Sequence, residues 1–243
     1  MTGVGKRAMV MAAGFGQRMQ PLTNGKPKPL VSVKGVPLIE YGFARLCEAG
    51  CETIVVNVHY LADQIEAWAK RHASPKVIIS DERQELLDTG GGIVKALPIL
   101  GSDPFFVVNS DSIWIDEGRP ALERLRAAWD EARMDCLLLL CPSERTVGYD
   151  GQGDFLKDSE GRIIGRARHG EKGLAYIGAY LVHPRLFANV RLSKFSMNLL
   201  WDRAIADKRL FGIEHKGLWL HVGTPESIAL AEGALKEALT LSR

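Results

Sequence analysis

Apolar residues in this chain fall into two recurring patterns. Short runs that are β-branched or continuously apolar occur at Ala8–Ala12, Thr53–Val58, Val77–Ser80, Pro104–Asn109 and Cys136–Cys141. Such runs, apolar on both sides, predict strands buried on both faces of a parallel sheet. Amphipathic stretches lie between them. Leu38–Ala49 places Ile39, Phe43, Leu46 and Cys47 on one side and stops at Gly50. Leu61–Arg71 does the same with Ile65, Trp68 and Ala69, and Gly92–Leu100 and Ala121–Ala132 continue the helical period. This strand–helix alternation, running from residue 8 to residue 141, predicts an α/β fold with a right-handed, doubly wound, mostly parallel (Rossmann-like) sheet.

After Cys141 the pattern changes. Tyr149-Asp150-Gly151 and Asp158-Ser159-Glu160-Gly161 are turn signals around two short strands, Asp154–Lys157 and Ile163–Arg168. Ala175–Val182 reads as a further strand, Phe195–Asp207 as a helix, and Leu210–Glu214 and Trp219–Val222 as two short strands. Pro225–Leu239 reads as a closing helix with Thr224 at its N-cap and Pro225 at its first position. With no Ser/Pro-rich linker, internal repeat or low-complexity tract, residues 1–243 read as one domain. A parallel half, about 1–141, carries an antiparallel extension, about 142–243.

Composition narrows the class. With 31 Lys+Arg against 29 Asp+Glu, the formal charge of +2 provides no electrostatic footprint for nucleic acid or a membrane surface. The longest apolar run near the start, Ala8–Ala13, is shorter than a membrane span or a signal-peptide core, so Met1–Arg7 reads as a short basic lead-in. Cys47, Cys51, Cys136 and Cys141 form no Cys-x-x-Cys pair and sit in apolar segments. They read as buried reduced thiols, which points to a cytoplasmic location.

The candidate chemistry starts where the first strand ends, at Met11-Ala12-Ala13-Gly14-Phe15-Gly16-Gln17-Arg18-Met19-Gln20-Pro21-Leu22-Thr23, followed by Lys26-Pro27-Lys28-Pro29-Leu30. A Gly-x-Gly after a strand lets backbone amides approach a phosphate. It lacks the third glycine of a dinucleotide fingerprint and the Gly-Lys-Ser/Thr of a P-loop. Arg18 and Lys28 add fixed positive charge, and the prolines on either side of Lys28 pin its backbone. Thr89-Gly90-Gly91-Gly92 lies between a strand and a helix, where absent side chains would let a flat base rest against the main chain. Asn109-Ser110-Asp111 ends the apolar strand Phe105–Val108; carboxyl ends of strands are where open α/β sheets bind ligands, and an aspartate there is a natural Mg²⁺ ligand.

The order Ala-Ala-Gly-x-Gly-x-Arg-Met-x-Pro-x-Thr…Pro-Lys-Pro-Leu resembles the signature of the nucleotidyltransferases that join a nucleoside triphosphate to a sugar 1-phosphate. The resemblance continues at Asp88-Thr89-Gly90-Gly91-Gly92, Asn109-Ser110-Asp111, Gly153-Asp154-Phe155 and Trp219-Leu220-His221-Val222-Gly223-Thr224-Pro225, nearly the whole chain. Within that family the Thr89–Pro98 segment and Gly-Asp-Phe, without a C-terminal acyltransferase repeat, are most similar to the short N-acetylmuramic acid 1-phosphate uridylyltransferases of cell-wall recycling. The resemblance implies a nucleotide site at Ala12, Ala13, Gly14, Gly16, Arg18, Lys28, Thr89, Gly90, Gly91 and Asn109. It implies a sugar-facing wall from Asn109, Asp154, Tyr176, Gly178 and Ser196, with Phe195-Ser196-Met197-Asn198 near a lactyl or acetamido group.

The implied reaction joins UTP and a sugar 1-phosphate into a UDP-sugar and pyrophosphate, with Lys28, Arg18 and Asp111 as the catalytic residues and Mg²⁺, or Mn²⁺, as cofactor. At His221 the chain departs from the usual family pattern, in which most relatives carry Asp there as a second metal ligand. Three readings stay open: His221 ligates through its imidazole, Asp111 holds the metal with water and phosphate oxygens, or His221 packs beneath the site. Rival functions are the same transfer to a hexose or heptose 1-phosphate or to phosphocholine, a non-catalytic nucleotide-sugar sensor, and a dinucleotide-dependent oxidoreductase. The incomplete glycine fingerprint and Lys28 disfavour the oxidoreductase.

Overall fold

The computed structural model describes residues 3–241; Met1 and Thr2 of the basic lead-in lie outside them. The strands, in chain order, are β1 (Arg7–Met11), β2 (Ser32–Val33), β3 (Val36–Pro37), β4 (Thr53–Val58), β5 (Lys76–Asp81), β6 (Phe105–Asn109), β7 (Ser112–Ile115), β8 (Cys136–Pro142), β9 (Thr146–Val147), β10 (Phe155–Lys157), β11 (Ile163–Arg166), β12 (Leu174–Val182), β13 (Leu210–Glu214) and β14 (Leu218–His221). The helices are α1 (Leu38–Glu48), α2 (Ala62–Ala69), α3 (Asp88–Leu100), α4 (Ala121–Ala128), α5 (Asn198–Ala206) and α6 (Pro225–Leu241).

The main sheet runs β5-β4-β1-β6-β12, with β10 and β11 continuing from β12, and β8 and β13 also reached through it. Strands β5, β4, β1 and β6 are parallel, as the continuously apolar runs require. Alternate residues of each strand feed opposite faces. Val10, Ile54, Val56, Phe106 and Val108 pack with Phe43 of α1, Trp68 of α2 and Leu125 of α4. Met9, Val55, Phe105 and Val107 pack with Ile93 of α3 and Trp201 of α5. Helices on both faces are what doubly wound means in practice. A smaller cluster (Met19, Val33, Leu38, Ile113, Leu220) joins the signature loop to a second sheet, β7-β14-β9.

The C-terminal strands are not merely appended at one edge. β12 lies antiparallel between β6 and β8, so the later half of the chain completes the sheet laid down by the earlier half. Sequence periodicity missed β7, a four-residue strand directly behind Asp111 that pairs with β14. It also missed the hairpin of β2 and β3.

Two helix starts move, for one shared reason. α3 begins at Asp88, not Gly92, and α5 begins at Asn198, not Phe195. Gly90 and Gly91 both donate their amides to the Phe195 carbonyl, Phe195 N–H donates to Leu87 O, and Met197 N–H donates to Thr89 Oγ1. Tertiary hydrogen bonds hold residues 195–197 out of helix and compensate the weak helix propensity of the glycines. α4 stops at Ala128 because Trp129 turns extended. No helix among the described residues is long and apolar enough to cross a membrane.

Candidate active site

β1 and β6 are neighbours, yet the chain leaves β1 for β4 on one side and reaches β6 only later. Their carboxyl ends therefore flank a topological switch point, where open α/β sheets bind ligands. A cavity of about 320 Å³ opens there, lined by Ala12, Ala13, Gly14, Gly16, Lys28, Asn57, Leu86, Thr89, Asn109, Asp111 and Lys194 among others. A second, of about 290 Å³, is lined by Asp154, Phe155, Arg166, Tyr176, Tyr180, Ser196, Asn198 and Trp201 among others. Met11, Asp88, Thr89 and Asn109 line both. The two cavities adjoin along these four residues.

The signature loop is built for close approach. Gly16 has φ +64°, and a Cβ there would lie 2.8 Å from Lys28 Cβ, so both the turn and the proximity of Lys28 require glycine. Thr23, buried, donates its hydroxyl to Gly16 O at 2.9 Å and holds the loop from beneath. Among the described residues, the amides of Gly14, Phe15 and Gly16 donate no hydrogen bond within the chain, which leaves them for an anion. Phe15 stands edge-on to His59 at 5.2 Å on the rim.

Lys28 follows Pro27 into a single 3₁₀ turn, with Pro29 buried behind it. Its Nζ lies 2.5 Å from Asp111 Oδ2, and its side chain is only 12% exposed. Arg18 lies on the outer side of the same loop, where it shares a surface pocket with Gly16, Lys28 and Gly223. His221, on β14, faces Ser112 across the β7 ladder, one residue past Asp111. Its imidazolium is disfavoured first by burial; Asp111 and Asp150 oppose this, while Lys28 and Arg18 add to it. Arg18 lines neither of the two adjoining cavities, whereas Lys28 and Asp111 line the first together.

Metal-binding capacity follows from that donor set. No group of three or more His, Cys, Asp or Glu able to hold an ion exists among the described residues. Asp111 and His221 offer one carboxylate and one imidazole kept neutral by burial. A Cβ on Gly223 would approach His221 Nε2 to 2.6 Å, so the glycine leaves that nitrogen room. Two protein donors fit a divalent ion that takes its remaining ligands from phosphate oxygens and water.

Two expectations need correction. Gly90 and Gly91 do not offer their amides to a base, since both are spent on Phe195 O. Cβ atoms on them would overlap the Phe195 ring and the Ser193 carbonyl, so packing explains the missing side chains. Gly178 does not open room for a sugar ring. Its φ is +84°, and a Cβ there would overlap Ser112 Oγ, which donates to Ile177 O; the glycine permits β12 to bulge against β7. The other sugar-wall residues, Asn109, Asp154, Tyr176 and Ser196, all line the second cavity. Asp154 Oδ2 accepts from Tyr176 N at 2.8 Å, and burial raises the Tyr176 phenol well above its usual pKa.

Sequence reasoning missed several groups. Asn57 accepts from Ala12 N at 2.8 Å and donates to Glu82 Oε1 at 2.8 Å; Glu82, 1% exposed, also accepts from Leu87 N. This chain of bonds ties the signature loop to the segment before α3. An amide inside the otherwise apolar run Thr53–Val58 was the available signal for Asn57. Glu82, Lys194 and Arg166 carry no local signal, because the fold brings them in from distant segments.

Comparison with known proteins agrees with this geometry. Residues 8–210 match the MobA-like NTP transferase domain. The chain is 43% identical over 98% of its length, and all of the relative's, to an N-acetylmuramate α-1-phosphate uridylyltransferase of Caulobacter vibrioides (strain ATCC 19089 / CIP 103742 / CB 15). It is 35% identical over 90% of its length, and 93% of the relative's, to an enzyme of the same name from Neisseria meningitidis serogroup B (strain ATCC BAA-335 / MC58). Its fold superposes on a UDP-glucose pyrophosphorylase complexed with UDP-glucose with a TM-score of 0.76 at 21% identity, covering 96% of this chain and 99% of that one. A strand-end glycine loop, a lysine–aspartate pair at the switch point and a full-length match leave one assignment: the chain belongs to the MobA-like NTP transferase family of nucleotidyltransferases.

Proposed function

We propose that this protein transfers the uridylyl group of UTP to N-acetylmuramic acid 1-phosphate, releasing pyrophosphate. The observation that carries the reading is that the two cavities adjoin along Met11, Asp88, Thr89 and Asn109, with Lys28 and Asp111 in the first. A nucleotide in the first and a sugar in the second would meet phosphate to phosphate at that junction. The identity to uridylyltransferases of that name supports this choice of substrates.

The attacking group is a phosphate oxygen of the sugar 1-phosphate, already ionised at neutral pH, so no catalytic base is needed. It forms a bond to the α-phosphorus while the bond to the β-phosphate oxygen breaks and pyrophosphate leaves. The barrier is then charge repulsion and alignment. The amides of Gly14 and Gly16 and the Arg18 guanidinium hold the departing β,γ-phosphates. Lys28, confined by its flanking prolines, neutralises charge developing at the α-phosphoryl oxygens. A divalent ion, Mg²⁺ or Mn²⁺, held by Asp111 with His221 and otherwise by phosphate oxygens and water, would screen the two polyanions from each other. Ala12 and Ala13 form the floor for the nucleoside, while Asn109, Asp154, Tyr176 and Ser196 face the sugar.

Pyrophosphate release from UTP, N-acetylmuramic acid 1-phosphate and Mg²⁺ or Mn²⁺ tests the reading. Release that needs all three components is the expected result. No release with this sugar, but turnover of a hexose 1-phosphate, would transfer the assignment to that substrate.

A further inference from the structure

The second cavity has an asymmetric charge lining that the transfer reaction does not explain. Asp88 and Asp154 line it, and Arg166 is its one cation among the described residues. Both carboxylates suit the neutral hydroxyl and amide donors of a sugar, and both repel a second anion. Arg166 lines the second cavity only, away from Lys28 and Lys194 in the first. Its charge is thus placed on the side of the second cavity and outside the lining of the first.

Arg166 is also held in place. It ends β11, and its guanidinium lies 4.5 Å from the centre of the Phe155 ring and 5.9 Å from that of Trp201. Nε donates to Asp202 Oδ1 at 2.9 Å, and Nη2 donates to Asn198 Oδ1 at 3.0 Å. The two N–H groups of Nη1 have no partner among the described residues, and the side chain is 35% exposed. A guanidinium fixed on two aromatic rings, with one edge engaged and one end nitrogen open, is preorganised to bind an incoming carboxylate.

We propose that Arg166 is the specificity-determining residue for the sugar, its Nη1 donating to a carboxylate carried on the ring. The inference rests on the proposed function, in which the acceptor bears a lactyl carboxylate, and it names the residue that reads this group. The acceptor then has two anionic ends, the phosphate held at the Lys28 side and the carboxylate at Arg166. A neutral sugar 1-phosphate makes only the first contact.

Steady-state kinetics at saturating UTP, comparing N-acetylmuramic acid 1-phosphate with N-acetylglucosamine 1-phosphate, test this. The second substrate has a hydroxyl where the first has the lactyl ether. In Arg166→Gln, kcat/KM for the lactyl substrate should fall roughly 10- to 100-fold, mostly through KM, as expected for a lost charge-assisted hydrogen bond. The value for the neutral substrate should stay near wild type. Equal losses on both substrates, or no loss on either, would overturn the proposal. Asp202→Asn guards against misfolding of the first variant. The asparagine oxygen can still accept from Nε and keep the guanidinium in place, so kcat/KM for the lactyl substrate should be preserved, whereas a purely structural Arg166–Asp202 ion pair would lower both substrates together. Absence of transfer to either sugar by the wild-type protein would be a different result, counting against the proposed function itself.

Discussion

The two adjoining cavities are built in different ways. The first is built from backbone and charge: amides of a glycine loop, a lysine clamped between prolines, and an aspartate at a strand end. Its parts come from loops that directly follow β1 and β6, and each is a short contiguous motif. The second is an aromatic box, with Tyr176 4.9 Å from Trp201 and Phe155 5.9 Å from Trp201, and with Arg166 laid across it. Its parts come from β10, β11, β12 and α5. A triphosphate is a dense, rigid pattern of charge that a local loop can match, whereas a sugar ring presents apolar faces and scattered hydroxyls and needs walls from several elements.

That contrast predicts where mutations should act. The largest effect belongs to Lys28→Ala, which removes the charge proposed to sit at the reacting phosphorus. Turnover should fall by roughly 10²–10³ in kcat with an unchanged melting temperature, as read by pyrophosphate release and circular dichroism. A near-normal rate would take Lys28 out of the chemistry.

Gly91→Ala tests the joint between the two ends. The added methyl would overlap the Ser193 carbonyl and push residues 193–196, which supply Lys194 to one cavity and Ser196 to the other. About 1–3 kcal/mol of destabilisation is expected from such overpacking, measured by urea unfolding, with KM rising for nucleotide and sugar together. A rise confined to the nucleotide would restore the base-reading role to the glycines.

His221→Asp sharpens the metal end. An all-oxygen donor set should shift the ratio of Mg²⁺-supported to Mn²⁺-supported rate upward by roughly tenfold. If that ratio does not change, His221 packs beneath the site and ligates nothing.

The smallest effect lies at the seam behind the site. His215 follows β13, is 1% exposed, and its Nε2 bonds Ile115 O of β7. Burial lowers its pKa, with Asp116 opposing and Arg124 adding. The unfolded chain then binds a proton that the folded chain resists. Burying His215 costs nothing above the usual histidine pKa of about 6.5 and costs stability as pH falls below it. His215→Gln should therefore show a shallower loss of melting temperature between pH 7 and pH 5 than wild type. Parallel curves would show that His215 does not titrate in this range.

The sequence alone determined the parallel half and the glycine loop that follows its first strand. Continuous apolar runs have few options besides doubly buried strands, and Gly14, Gly16 and Asp111 lie within five residues of a strand end. For the glycines and Asp111 these are local properties, set by backbone freedom and fixed charge, whereas Lys28 lies 17 residues past β1 and meets Asp111 only through the fold. Tertiary structure decided what Gly90, Gly91 and Gly178 are for, because a missing side chain looks the same whether a ligand or another chain segment fills the space. It also decided the insertion of β12 between β6 and β8, the Asn57–Glu82 tie and the place of Arg166 over Phe155 and Trp201. Each of these depends on contacts between residues far apart in the chain, and no window of sequence contains both partners.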